Sequence, residues 1–265
     1  MRCKSICDWR RWCSAACARI AGKSERQAAR HVCIVNLLII RPQPGADATA
    51  HRLRAAGHAP CIMPLFAIEH LPCPPVSAEG YDAILLTSGN AARAAVDFLT
   101  CDHDLPIYVV GSATASALHK LSVPVTKTGS DGMEALVEVA VADGHRRFLW
   151  LAGEDHNAIP HLDGLSIDIE IVYRSAAVNT PDDFARNVTQ SDLVVLHSSR
   201  AAAHFAGLCD GLKLPRRTIA LATFSNAIAR SAGTGWASTI VADTPNDAAL
   251  LAAIQRQFKM AHCAP

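Results

Sequence analysis

Residues 82–94 read DAILLTSGNAARA and residues 192–202 read DLVVLHSSRAA. In each, an Asp opens an unbroken apolar run, hydroxyl residues follow it (Thr87-Ser88 in one, Ser198-Ser199 in the other), and an Ala-rich stretch comes next. An apolar run too short for a helix, ended by residues that cap helices, predicts a buried strand turning directly into a helix. Because the run has no polar position, both faces of the strand need cover, which is the condition of a parallel sheet between helical layers.

Outward from these stretches the match continues at an offset of about 110 residues. Leu105-Pro106 is answered by Leu214-Pro215, VVGSATAS (109–116) by ALATFSNA (220–227), and a closing helix near Leu136 by one near Leu250. NLLIIRP (36–42) and FLWLAG (148–153) read as further strands, followed by helical stretches at 45–58 and 154–165. Two extended segments fall outside both copies, PLFAIEHL (64–71) and IEIVYRSA (169–176), at the points where the chain changes copy. They read as paired linkers. The expected fold class is therefore α/β, with two similar parallel-sheet lobes joined by a two-stranded linker and a cleft between them. Residues 35–66 plus 174–260 form the first, discontinuous lobe and 67–173 the second.

The chain has 265 residues, 50% hydrophobic and 18% charged, with a net charge of +1. Its apolar runs end well before the ~18–20 residues that a membrane span needs, so no membrane partner is expected. Residues 1–34 carry eight Lys/Arg against two Asp/Glu, which is +6 of the total, and residues 35–265 sum to −5. A mildly acidic body lacks the broad basic field that nucleic-acid binding needs. Five of the ten cysteines lie in the first 33 residues; Cys61, Cys73, Cys101, Cys209 and Cys263 are scattered and read as reduced, mostly buried thiols of a cytoplasmic protein. Residues 1–34 lack a secretory apolar region and are expected to be a disordered or non-native extension, either a transit-like arm or sequence ahead of a start near Val35. The Cys3, Cys7, Cys13, Cys17 spacing lacks a second ligand pair and His156 and His161 are five apart, so no metal site is expected.

The usual signatures of nucleotide hydrolysis, dinucleotide redox, esterase and zinc-protease chemistry are absent from the sequence. A cofactor-free enzyme or a binder remains. Small hydroxyl residues recur where strands end and helices begin: Thr87-Ser88, Ser112 and Thr114 after Gly111, Ser198-Ser199, and Thr223 with Ser225. Each can act as a helix cap. Together, along the carboxyl edges of two sheets, they offer N–H and O–H donors to a ligand rich in carboxylates or phosphates. Arg41 follows the first strand as a bidentate carboxylate binder, Gly153 ends FLWLAG, and Tyr173 in the second linker is able to point its hydroxyl into the cleft.

Taken in order, Arg41-Pro42, residues 82–94, VVGSATAS, LWLAG (149–153), VYRS (172–175), residues 192–202 and TPNDAAL (244–250) resemble the uroporphyrinogen-III synthase family over residues 35 to about 258. The resemblance implies a cyclising hydro-lyase of tetrapyrrole and haem biosynthesis. Its substrate would be hydroxymethylbilane, a linear tetrapyrrole with eight carboxylates, which closes to uroporphyrinogen III with inversion of ring D and loss of water. It implies no cofactor, a monomer, and the upstream hydroxymethylbilane synthase as a partner. Carried over by position, Tyr173 would assist departure of the hydroxyl. Arg41, Thr87, Ser88, Gly111, Thr114, Gly153, Ser198, Ser199 and Ser225 would line the substrate site. The chain departs from the family pattern at Ala222–Asn226, which lacks a glycine, and at His156 and Asn157, where the family often has an Arg. The competing reading is a two-lobe anion-binding protein of periplasmic type, which would need an export signal.

Overall fold

The two apolar runs quoted above stand in separate sheets of a computed structural model that describes residues 34–72, 77–101, 103–130, 132–156, 158 and 164–262. The chain runs β1 (Asn36–Ile39), α1 (Gly45–Ala55), β2 (Ala59–Ile62), β3 (Phe66–His70), β4 (Ala83–Leu86), α2 (Gly89–Ala94), α3 (Val96–Leu99), β5 (Ile107–Val110), α4 (Ser112–Lys120), β6 (Lys127–Gly129), α5 (Met133–Ala142) and β7 (Arg147–Gly153). It continues through β8 (Ser166–Ala177), α6 (Phe184–Gln190), β9 (Leu193–Leu196), α7 (Ser199–Gly211), β10 (Ala220–Thr223), α8 (Asn226–Ala232), β11 (Ser238–Val241) and α9 (Asp247–His262).

One sheet is parallel throughout, in the order β11-β10-β9-β1-β2. The other has the order β6-β5-β4-β7-β8-β3, parallel except for its last pair. Strand for strand, β6-β5-β4-β7-β8 matches β11-β10-β9-β1-β2. The central strands β1, β4, β7 and β9 are buried over nearly their whole length, as unbroken apolar runs require. Each sheet has a core on both faces. Under the first sheet, Phe184, Phe205 and Ile228 pack on one face, and Ala46, Ala50, Leu53, Leu250 and Ile254 on the other. The second has Ala91, Ala92, Leu118 and Val172 on one face and Tyr108, Leu136, Val137 and Trp150 on the other.

Several expectations need correction. The stretch after β7 is not helical at Glu154–His156, Ala158, Gly164 or Leu165, and its other residues lie outside the described ones. Pro160 and Gly164 oppose a helix there. The strands β2 and β6 and the helix α6 are too short to stand out in the sequence. The segments read as linkers pair with each other, antiparallel from Phe66 opposite Ala177 to His70 opposite Tyr173, and β8 also pairs with β7, so both belong to the six-stranded sheet. Of the scattered cysteines, Cys209 is buried while Cys61 and Cys101 are exposed free thiols. Cys61 lies on edge strand β2, half of whose residues face out. The expectations for residues 1–33, Cys73, Cys263 and His161 concern positions outside the described residues.

In each sheet the chain leaves one strand outward and returns on that strand's other side, so the connections diverge between β1 and β9 and between β4 and β7. Open parallel sheets bind ligands at the carboxyl ends of strands at such switch points. Arg41 and His197-Ser198 follow β1 and β9; Thr87-Ser88 follows β4 and Gly153 ends β7.

Candidate functional site

At the β4/β7 switch point, Tyr173 touches both Gly153 and Ser88. The pairing of β7 with β8 is irregular, passing from Ala152 opposite Ile171 to Gly153 opposite Tyr173. The extra residue, Val172, bends the strand locally. The tyrosine ring lies so close over Gly153 that a Cβ there would stand 2.7 Å from Oη and 2.8 Å from Cε1. Glycine is needed at 153 to seat the ring. Tyr173 Oη donates to Ser88 Oγ at 3.1 Å, and Ser88 Oγ in turn accepts the Asn90 amide at 3.1 Å as the N-cap of α2. Arg93, one turn into α2, donates to the Asn90 side chain. Burial lowers the Arg93 guanidinium from its ordinary value, and the nearby Tyr173 phenol opposes that shift. Thr87 accepts from the Trp150 indole at 3.4 Å.

At the β1/β9 switch point, the Arg41 side chain, 30% exposed, is also engaged by its own neighbours. Its guanidinium donates to Thr49 Oγ1 at 3.2 Å, lies 3.8 Å from Asp247 Oδ1, and is packed so tightly on Gly45 that a Cβ there would meet Nε at 2.5 Å. Burial lowers its pKa against the opposing pull of Asp247. Asp247, in the first turn of α9, accepts from Thr49 at 3.0 Å and Arg52 at 2.6 Å and lies 3.5 Å from His197 Nε2. Burial pushes its carboxyl up, but the bonds from His197 and Thr49 and the nearby charges outweigh this and hold it below the usual value. His197 packs edge-on against Phe224 at 4.5 Å, burial pushes its pKa down, and its Nδ1 has no partner among the described residues. A neutral Nε2–H tautomer accounts for this arrangement, with its proton toward Asp247 and Nδ1 bare.

The remaining positions act at helix starts. Ser198 caps α7, its Oγ accepting from Ala201 N at 3.2 Å, and Ser225 caps α8, accepting from Ile228 N at 3.4 Å. Ser199 is exposed in the first turn of α7. Gly111 precedes α4 with φ +80°, which a side chain would strain, and Thr114 is only 4% exposed. The Tyr173 hydroxyl bonds to Ser88, and neither Thr114 nor Ser225 joins that pair. None of α2, α4, α7 and α8 carries an acidic residue in its first turn, so their positive ends are not neutralised locally. Among the described residues no group of three or more His, Cys, Asp or Glu is arranged to hold a metal ion, and no helix is long and apolar enough to cross a membrane. A surface hollow of about 650 Å³ lies at the opposite, amino edge of the first sheet, beside Asn36, Arg54 and His58.

Asn90, Arg93, His197, Thr49 and Asp247 were not singled out from sequence. Asn90 and Arg93 were detectable, being one helical turn apart after a capping serine. Thr49 and Asp247 meet across 198 positions, and no local pattern announces that.

The family model described as uroporphyrinogen-III synthase HemD matches residues 47–252. No curated protein sequence matches the chain. Uroporphyrinogen-III synthetase from Helicobacter pylori is similar in structure with a TM-score of 0.57 at 13% identity, covering 84% of this chain and 100% of that one. A mutant uroporphyrinogen III synthase from the extremely thermophilic bacterium Thermus thermophilus aligns with a TM-score of 0.49 at 15% identity, over 85% of this chain and 99% of that one. The first of these likenesses bears on the fold, and the family model spans well over half of the sequence: the chain belongs to the uroporphyrinogen-III synthase family.

Proposed function

We infer that this chain closes hydroxymethylbilane to uroporphyrinogen III, and that Tyr173 and Ser88 stand where the hydroxyl leaves. The family match over residues 47–252 carries the reaction; the Tyr173–Ser88 hydrogen bond beside Gly153 supports the position of the site. The terminal hydroxyl of the bilane departs as water once it takes a proton, leaving an azafulvene. The substituted position of ring D attacks to give a spiro intermediate, which reopens and closes with ring D inverted. The Tyr173 phenol offers its hydroxyl as a proton donor to the departing oxygen. Ser88 holds that phenol in place. The pyrrole nitrogens themselves expel the hydroxyl, so the larger task is to hold the chain of rings in the conformation that favours inversion over direct closure to isomer I.

The finer organisation proposed is two lobes, 35–66 with 174–260 and 67–173, with β3 and β8 as the connection and the carboxyl edges of both sheets facing one cleft. The four helix starts without acidic residues support a substrate of many carboxylates. We further propose a monomeric, cytoplasmic enzyme of haem biosynthesis that receives the bilane from hydroxymethylbilane synthase and uses no cofactor. Incubation with enzymatically generated hydroxymethylbilane, followed by oxidation and separation of isomers, should yield isomer III in excess. Isomer I alone, at the uncatalysed rate, would reject the reading.

A further inference from the structure

Arg200 breaks a local rule. It lies in the first turn of α7, where the free N–H groups already form a positive helix end and a cation is unfavourable. Its partner comes from the other sheet: Asp155, two residues beyond β7, forms an ion pair with the Arg200 guanidinium. The guanidinium also lies 5.0 Å over the Phe66 ring at the start of β3, and that ring meets His204 edge-on at 5.2 Å. The two charged side chains remain 47% and 57% exposed. In the same turn Ser198 Oγ takes the Ala201 amide, while the amides of Ser199 and Arg200 donate to no group among the described residues. Beside Asp155, the Glu154 amide donates to the Tyr173 carbonyl at 2.9 Å, so the pair lies next to the tyrosine.

We propose that Arg200 is a substrate-carboxylate ligand and that Asp155 holds its place in the free enzyme. An acetate or propionate side chain of the bilane replaces the Asp155 carboxylate on the guanidinium and meets the free amides of the same helix turn. This rests on the reading of the reaction given above. The exchange is carboxylate for carboxylate, and an exposed ion pair is weak enough to be displaced. Phe66 keeps the guanidinium oriented while the partners change. Arg41, the cation singled out from sequence, is held by Thr49 and Asp247 and is less free to serve. The local irregularity at Arg200 therefore has a function in the assembled site.

The test compares wild type with Arg200→Gln, Arg200→Lys and Asp155→Asn in the isomer III assay. It also measures the rise in thermal midpoint on adding uroporphyrin III, a stable octacarboxylate that needs no turnover. Arg200→Gln should raise KM for hydroxymethylbilane about ten- to a hundredfold, the loss falling on KM more than on kcat, and should lessen the uroporphyrin-induced rise. Arg200→Lys should recover part of both. Asp155→Asn should lower KM, by up to about fivefold. Equal KM and equal stabilisation in wild type and Arg200→Gln would overturn the proposal. So would a KM raised alike by Arg200→Gln and Asp155→Asn, which is the behaviour of a structural strut. If wild type makes no isomer III, the reaction assigned above fails, and uroporphyrin stabilisation still decides whether Arg200 binds carboxylates.

Discussion

Tyr173 and Gly153 form a unit, because the ring occupies the space that any side chain at 153 would fill. Tyr173→Phe keeps the ring and removes the proton donor. It should lower the rate of isomer III formation roughly ten- to a hundredfold without abolishing it, since the pyrroles supply much of the push. A fully active or wholly inactive Tyr173→Phe variant that folds normally would count against this division. Gly153→Ala should displace the ring from Ser88 and lower the rate at least as much, with isomer I rising because the substrate is held less well. Finding wild-type isomer ratios and rate in Gly153→Ala would show that the phenol position does not matter.

At the scale of elements, the contact between α9 and the β1/β9 edge depends on Asp247. The carboxylate favours the positive end of its own helix and ties α9 to α1 through Thr49 and Arg52. Its folded pKa is lowered, so its contribution is present above the unfolded value near ~4 and is lost as pH falls through the folded value. His197 adds to the same trend by a different route. Its folded pKa is lowered by burial, so below the unfolded value near ~6.5 the unfolded chain binds the proton that the folded chain refuses. Stability should therefore fall as pH goes from 7 to 5, and fall further below 4. In His197→Phe the decline between pH 7 and 5 should be smaller, as read from thermal midpoints; an identical decline would show that His197 does not titrate as its burial requires.

Across the whole molecule, burial divides chemically identical groups. The Cys209 thiol is fully buried and pushed up to about 12, chiefly by burial, whereas Cys61 and Cys101 are exposed. Under native conditions at pH 8, a thiol reagent should label Cys61 and Cys101 and spare Cys209 until the protein unfolds. Labelling at 209 as fast as at 61 would mean that the first sheet's core opens readily. Removal of residues 1–34 should leave the thermal midpoint and isomer III formation unchanged, because among the described residues the buried core begins at Val35 and the family match begins at residue 47. A large loss of either would show that the segment contributes to the body.

The sequence by itself determined the alternation of strand and helix, the near-repeat of DAILLTS and DLVVLHS, and the hydroxyl residues at their ends. These are local: an unbroken apolar run is a buried strand, and Ser88, Ser198 and Ser225 cap the helices that follow. The order β11-β10-β9-β1-β2, the continuation of the second sheet through β8 to β3, and the absence of a helix at the described residues after Gly153 were not legible, because pairing depends on partners remote in sequence. The same holds for the site. Tyr173 and Gly153 were visible separately, but that the ring needs the glycine is a matter of 2.7 Å in space. Arg41 was legible as a cation at a strand end; only the tertiary structure brought Thr49 and Asp247 to it, since an ion pair forms wherever folding places opposite charges and leaves no mark in the intervening chain.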